Sequence, residues 1–197
     1  YWMGESGGFF VYDGTVKSLP CAVEDFVFTT KNGNNLGINY SNGESVYAGL
    51  NHLYEEICWY YPKSGSDFND RYVCFNYQDG TWVTGSLSRT TWADANLYDN
   101  PYATEFTSTG VGSFPTVQGV TNINGSTKYY AHEVGVDQVD TAGNKTAIPA
   151  FIESGDFSLN VEGNAQVFMS MRRFVPDFKT IQGDAQVTIL LRNFPSD

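Results

Sequence analysis

The stretch Ile57–Trp92, ICWYYPKSGSDFNDRYVCFNYQDGTWVTGSLSRTTW, decides the fold class. Two runs rich in apolar and aromatic residues, Arg71–Tyr77 and Thr81–Gly85, flank Gln78-Asp79-Gly80. Asp-Gly between such runs is a hairpin signal, because Gly80 reaches positive φ without a Cβ clash. A strand-like run, Glu56–Tyr61, ends at Pro62 just before the hairpin, so three antiparallel strands of blade size are expected. The last strand is expected to continue through Ser86–Trp92.

Working outward, Phe9–Tyr12 and Thr15–Leu19 flank Asp13-Gly14 and predict a first hairpin ended by Pro20. Val23–Thr29 reads as a strand or a short helix, and Asn32-Gly33-Asn34-Asn35 as a turn cluster. Leu36–Tyr40 and Ser45–Leu50 around Ser41-Asn42-Gly43 predict a second hairpin. Residues 95–128 are dominated by Gly, Ser, Thr, Asn and Pro and read as a loop-rich insertion holding one or two weak strands, such as Val117–Ile123. Beyond it, Lys128–Val134, Thr146–Ser154, Asp156–Val161, Val167–Phe174 and Gln186–Arg192 are strand-like, the last expected to face a core. Pro176 favours an edge or a bulge there.

The bulk composition agrees. The 197 residues contain 16% aromatic and only 17% charged side chains, with 20 glycines and few helix formers. This is an all-β composition with many turns, and it is unlike that of a disordered chain. Short antiparallel strands with regular turn signals predict β-propeller-like blades, with a β-sandwich as the alternative. At about 40–50 residues per blade the chain would hold about four, few for a closed ring. Residues 1–197 therefore read as one all-β region. The opening Tyr1-Trp2-Met3-Gly4 reads as the middle of a structured element and the close follows a strand-like run, so a segment of a longer polypeptide is expected.

Net charge is −11, and among the scattered basic residues only Arg172-Arg173 are adjacent. No basic patch is present to hold nucleic acid tightly. The acidity serves solubility, or else a surface that repels DNA. Cys21, Cys58 and Cys74 are odd in number and lie among apolar residues, so they read as buried thiols of a reducing compartment. Cys58 and Cys74 come close if their strands pair, which leaves a disulfide open. No run of about 18 apolar residues occurs, so no membrane-spanning segment is expected.

Chemistry-bearing patterns are sparse. Glu55-Glu56 would occupy opposite faces of a strand and could not flank one glycosidic bond. Asp79-Gly80-Thr81-Trp82 is one residue short of the Asp-box of sialidase-like propellers. Here Trp82 is expected to pack between sheets and Asp79 to cap the turn. His52 and His132 have no metal-ligand spacing with the cysteines, although Asp137 and Asp140 could take a weak ion. There is no nucleophile elbow and no phosphate loop. No catalytic, cofactor-binding or metal residue is assigned, and the protein is expected not to be an enzyme. Arg89 reads either as solvated or as the buried partner of a carboxylate, such as Asp94 or one on a neighbouring subunit. Arg172 or Arg173 could pair with the Pro176-Asp177-Phe178 turn, with at most one of the two facing inward. Trp59-Tyr60-Tyr61 and Tyr129-Tyr130 place rings on both faces of their strands, which calls for cover on both sides or for another subunit.

Several of these motifs resemble, in order, those of the tail nozzle or hub proteins of short-tailed bacteriophages, also called packaged-DNA stabilisation proteins. The resemblance is carried by Tyr1-Trp2-Met3-Gly4, Phe9–Gly14 (FFVYDG), Leu19-Pro20-Cys21, Glu56–Pro62 (EICWYYP), Asn69–Val73 (NDRYV), Leu87–Trp92 (LSRTTW), Tyr130–Gly135 (YAHEVG), Ile152–Phe157 (IESGDF), Pro176-Asp177-Phe178 and Arg192–Pro195. Their collinearity carries it, and the segment Ala95–Lys128 has no counterpart. The resemblance implies a virion structural protein of the tail, made in the host cytoplasm, with no catalytic residues and no cofactor. It implies a homohexameric ring below the portal and adaptor, with tail fibre or spike proteins as further partners. The ring would continue the DNA channel, retain packaged double-stranded DNA and open for ejection. A carbohydrate-binding β module, for example a receptor-binding tail component, is the alternative.

Overall fold

The computed structural model describes residues 1–29, 37–96, 98–107, 126–140, 142–148, 150–154, 172–177 and 184–190. The fold is all-β and antiparallel. Three consecutive meanders make three sheets: β1 (Trp2–Met3), β2 (Phe9–Tyr12) and β3 (Val16–Leu19); β4 (Tyr47–Asn51), β5 (Glu56–Tyr61), β6 (Arg71–Asn76) and β7 (Trp82–Gly85); then β8 (Thr91–Ala93), β9 (Tyr102–Thr107) and β10 (Ser126–Ala131). A two-stranded hairpin, β11 (Asp137–Val139) with β12 (Lys145–Ala147), follows. In each sheet the strand order is the chain order, and the sheets are open.

The two Asp-Gly hairpins form where the sequence places them. Gly14 and Gly80 take φ of 105° and 70°, and Tyr12↔Val16 and Phe75↔Trp82 close the two ladders. At the second turn the capping side chain is Asn76 rather than Asp79: its Oδ1 accepts from the backbone N–H of Gln78 at 3.0 Å and of Asp79 at 2.9 Å. Asn76 ends the strand, so its short amide reaches both donors.

The central sheet has four strands, and β5 lies inside it between β4 and β6. Residues Cys58, Trp59, Tyr60 and Tyr61 are all buried. Alternation sends Trp59 and Tyr61 to one face, where they pack with Val73, Phe75, Phe9, Val27 and Ile38. Phe9 belongs to the N-terminal sheet and Val27 to a short helix, α1 (Glu24–Phe28), so that side is covered by the first meander and its following helix. Trp82 lies between them as expected, 4.6 Å from the Phe9 ring and 4.7 Å from that of Phe75, with its Nε1 donating to Pro20 O. The opposite face carries Cys58, Tyr60 and Cys74, and Trp92 from β8 covers it. The both-faces demand of Trp59-Tyr60-Tyr61 is thus met within one chain. For Tyr129-Tyr130, only Tyr130 faces inward; Tyr129 is 67% exposed.

Several strand expectations are corrected. Tyr40–Ser45 is a 3₁₀ helix capped by Asn39, whose side chain accepts from Ser41 N–H, so no hairpin joins Leu36–Tyr40 to Ser45–Leu50. Short polar side chains here capture the backbone locally, and β4 pairs with β5 instead. The strand ending at Gly85 does not continue: Thr91–Ala93 belongs to the third sheet, which lets the chain change layers. Tyr102–Thr107, within 95–128, is the central strand of that sheet, whereas Val117–Ile123 and the Asn32–Asn35 cluster lie outside the described residues.

The cysteine reading is also corrected. Cys58 and Cys74 are directly opposed in the β5–β6 register with Cα atoms 4.0 Å apart, and they are joined as a disulfide. Cys21 alone is a free thiol, with its pKa pushed up to about 11 by burial.

The chain divides into two units, Tyr1–Ile148 and Pro149–Asp197. In the second, residues 150–154, 172–177 and 184–190 are exposed and form no strand. This corrects the strand expectations for Thr146–Ser154 beyond Ala147, for Arg172–Phe174 and for Gln186–Leu190, the last of which faces no core. An alternating apolar pattern supplies a face but not the partner whose backbone completes a ladder, and none of the described residues of this unit pairs with them. Asp156–Val161 lies outside the described residues.

The contact between the central and third sheets depends on one glycine. A Cβ on Gly49 in β4 would lie 2.6 Å from Cγ of Trp92. Trp92 is also fixed by its Nε1 donating to Leu50 O at 2.8 Å and by Tyr47 Oη donating to its carbonyl at 3.3 Å. Gly49→Ala is expected to destabilise the fold by about 1–3 kcal/mol, as overpacking does. Urea unfolding followed by tryptophan fluorescence checks this, and an unchanged midpoint would show that the layers separate freely.

Candidate functional site

The seam between the central and third sheets gathers the polar chemistry of the molecule. Arg89 sits just before β8 and is 5% exposed. Its backbone carbonyl accepts from Asn69 Nδ2 at 3.0 Å, and the same amide group donates to Ser45 O at 2.8 Å. Asn69, itself 2% exposed, therefore ties the Arg89 turn to the 3₁₀ segment.

The Arg89 side chain is held by four groups. Nε donates to His132 Nε2 at 2.9 Å, and one terminal nitrogen donates to Ser88 O at 2.6 Å and to Glu105 Oε2 at 3.3 Å. The guanidinium lies 4.2 Å above the Tyr130 ring centroid, a cation–π contact shielded from water. Register explains the assembly. In the β9–β10 ladder Ala103 opposes Tyr130 and Glu105 opposes Lys128, so Tyr130 and Glu105 leave the sheet on one face. Trp92, opposite Ala103 in the β8–β9 ladder, shares that face and lies 4.7 Å from the His132 ring.

Burial followed by the charge of Glu105 sets the electrostatics of Arg89: the first lowers its pKa and the second opposes that change. Burial and the nearby Arg89 cation hold His132 down at about 4. His132 is therefore neutral at pH 7, accepting at Nε2. Burial also pushes the Tyr60 phenol up, with Arg89 opposing. A buried cation held by His132, Glu105, the Ser88 carbonyl and the Tyr130 ring, facing a neutral imidazole and protonated phenols, is a structural network rather than an acid–base pair.

Arg89 is thus buried, but its carboxylate is Glu105. Asp94 pairs with His52 instead, 2.9 Å from Nδ1, and also accepts from the His52 backbone N–H. The local motif put Asp94 in sequence reach, whereas strand pairing put Glu105 in space. Arg172 and Arg173 are both exposed, and among the described residues neither pairs with Asp177. The Asp137/Asp140 ion reading is replaced by a turn. Asp140 Oδ1 accepts from Ala142 N–H and Asn144 N–H, and Oδ2 accepts from Asn144 Nδ2 at 2.7 Å. These bonds, the Asn144 side chain first, hold its carboxyl below the usual range.

At the far end of the seam Glu56 lies with Cys58 and Cys74, their ligand atoms all within 4.8 Å of one another. The bonded sulfurs offer no thiolate to a metal. Glu55 takes φ of 57° just before β5 begins, so Glu55 and Glu56 are not consecutive residues of one strand.

The outer face of the third sheet is different. Tyr102 and Tyr129 stack with ring centroids 5.2 Å apart and planes 7° from parallel, and Tyr98 meets Tyr102 edge-on at 5.2 Å. Tyr98 and Tyr129 are more than half exposed. Thr104 opposes Tyr129 in the same ladder, and its hydroxyl is shared with those of Thr90 and Thr91.

Comparison with known proteins finds no matching family model, no matching curated protein and no matching solved structure. Among the described residues no helix is long and apolar enough to cross a membrane.

The neutral His132 predicts a pH dependence. Its folded pKa is depressed to about 4 from the ordinary 6.5, so the unfolded chain takes up the proton first on acidification. The stabilisation is full above pH 6.5, falls as pH drops towards 4 and changes no further below that. Glu56 acts in the opposite sense, because burial and then Glu133 raise its pKa. Subtracting the unfolding free energies of His132→Gln, which keeps an acceptor for Arg89, isolates the histidine. The native protein should lose on the order of 1–2 kcal/mol more than the variant across this window, allowing for solvent screening. Parallel slopes would place the imidazole in water.

Proposed function

We propose that the chain is a structural subunit of a short-tailed phage tail nozzle, part of a ring that continues the DNA channel, retains packaged DNA and releases it on ejection. The observation that carries this reading is where the collinear motifs meet. Trp59 and Tyr61 of EICWYYP, Arg89 and Trp92 of LSRTTW, and His132 of YAHEVG all serve contacts between stacked sheets. Residues that resemble a family's signature are here architectural, as expected of a protein whose task is assembly. Blade-like meanders stacked face to face suit a propeller-containing subunit, with neighbouring blades or subunits continuing the stack.

The charge supports a conduit. With a net charge of −11 and scattered basic residues, the surface gives a polyanion little to grip. Double-stranded DNA would slide past such walls with only non-specific contact, and retention would rest on a steric constriction. Portal adaptor and tail fibre or spike proteins would be the neighbours, and the site of action the virion tail. No enzymatic step is part of this role.

Electron microscopy of the native assembly, with peptide mass spectrometry on the same sample, tests the reading. The expected image is a six-fold tapering tube containing these peptides. A monodisperse monomer without a ring would sink it.

The exposed tyrosines favour one second reading, a carbohydrate-binding surface. Flat, accessible rings beside the Thr90, Thr91 and Thr104 hydroxyls can stack on and hydrogen-bond a neutral sugar. If that reading holds, the protein should be retarded on a glycan resin, and Tyr129→Ala should abolish the retardation at unchanged stability. Equal elution of both proteins would leave the rings without that role.

A further inference from the structure

Three side chains of the central sheet meet in one place. Glu56 and Cys58 alternate along β5 and so share a face, and Cys74 is directly opposite Cys58 in β6. The ligand atoms of all three lie within 4.8 Å of one another. Cys58 and Cys74 are buried, packed with Leu87 and Trp92, while Glu56 at the end of the ladder is only half-buried. Among the described residues no cationic side chain pairs with the Glu56 carboxylate.

The sulfurs have two exclusive chemistries. Bonded to each other, neither is the thiolate that a metal needs. A dithiol reductant changes that. Two electrons and two protons pass to the sulfurs, the reductant closes its own disulfide, and two thiols are left side by side on one face. The odd number of cysteines, set among apolar residues, reads as that of a reducing compartment, where the thiol form is the resting one. Two thiolates and a carboxylate are donors for zinc. Calcium and magnesium take oxygen ligands alone, and three protein ligands leave the fourth corner of a tetrahedron for water. Zinc–ligand bonds of about 2.0–2.3 Å place neighbouring donors about 3.3–3.8 Å apart, inside the spacing of this cluster. The partial exposure of Glu56 gives the ion and its water a way in.

We propose that reduction of Cys58–Cys74 opens a zinc site made by the two cysteine sulfurs and the Glu56 carboxylate. The pair then fastens β5 to β6 by a disulfide when oxidised and by a metal ion when reduced. Each thiol releases its proton to solvent as the ion binds. The site is independent of the nozzle reading.

The test uses the full 197-residue chain, reduced without oxygen, freed of reductant and titrated with CoCl2 and then ZnCl2. The expected result is one Co²⁺ per chain, with the strong near-ultraviolet absorption of thiolate-to-cobalt charge transfer, bleached by one equivalent of Zn²⁺. The unreduced protein should show no such absorption. Cys58→Ser should lose it, Cys21→Ser should keep it, and Glu56→Gln should weaken Zn²⁺ binding at least tenfold. Circular dichroism verifies that each variant is folded. The proposal is overturned if the reduced chain shows no thiolate absorption with Co²⁺, or if Cys58→Ser retains it. An unchanged Zn²⁺ affinity in Glu56→Gln also overturns it, because the sulfurs alone would then hold the ion. If Cys58→Ser does not fold, iodoacetamide labelling of the reduced parent protein decides in its place. Zn²⁺ should protect Cys58 and Cys74 in peptide mass spectrometry, and equal labelling with and without the ion overturns the proposal.

Discussion

The fold depends on burying one strand on both faces. Strand β5 carries Trp59 and Tyr61 to one side and Cys58 and Tyr60 to the other, and all four are buried. Each large ring removed from water contributes roughly 1.5–3 kcal/mol, so neither face can be left open. The N-terminal meander with α1 covers one side and the third meander covers the other. Because strand order equals chain order in every sheet, this three-layer arrangement needs no long crossover within a sheet.

The two interlayer contacts differ in kind. The N-terminal side is a ring-on-ring core in which Phe9, Trp59, Trp82 and Phe75 touch in sequence. Such packing is close but not strongly directional. On the other side Arg89 must meet His132, Glu105 and Tyr130 together, and Gly49 must lie under Trp92. A shift of one residue in β9 would turn Glu105 outwards and leave a buried guanidinium without its carboxylate, which costs far more than a lost apolar contact. We infer that the seam fixes the register of the third sheet, while the aromatic core supplies most of the burial.

Much of the architecture was legible in the sequence, and particular residues show why. Gly14 and Gly80 marked hairpins because positive φ is a local property of the chain. Glu56–Tyr61 announced a strand covered on both faces because its rings alternate without a polar gap. The strands were not all legible. Tyr47–Asn51 pairs with β5 rather than with the residues before Tyr40, since the local bonds of Asn39 favour a 3₁₀ turn. Gln186–Leu190 has an apolar run yet forms no strand, because a pattern cannot supply its own partner. Tyr102–Thr107 lies in a polar segment and became a central strand through its neighbours on both sides.

By itself, the sequence determined the all-β class, the main turns, the acidity and the need for layers around β5. These follow from side-chain alternation, glycine stereochemistry and formal charge, which act over a few residues or over the whole chain at once. Only the tertiary structure decided which groups meet across distance. Glu105 rather than Asp94 faces Arg89, Cys58 and Cys74 are bonded, Tyr129 is left open, and Asn51 is brought beside Glu133. Those pairings are set by strand register and layer stacking. A one-residue slip would reassign each of them while leaving the local pattern of the sequence unchanged.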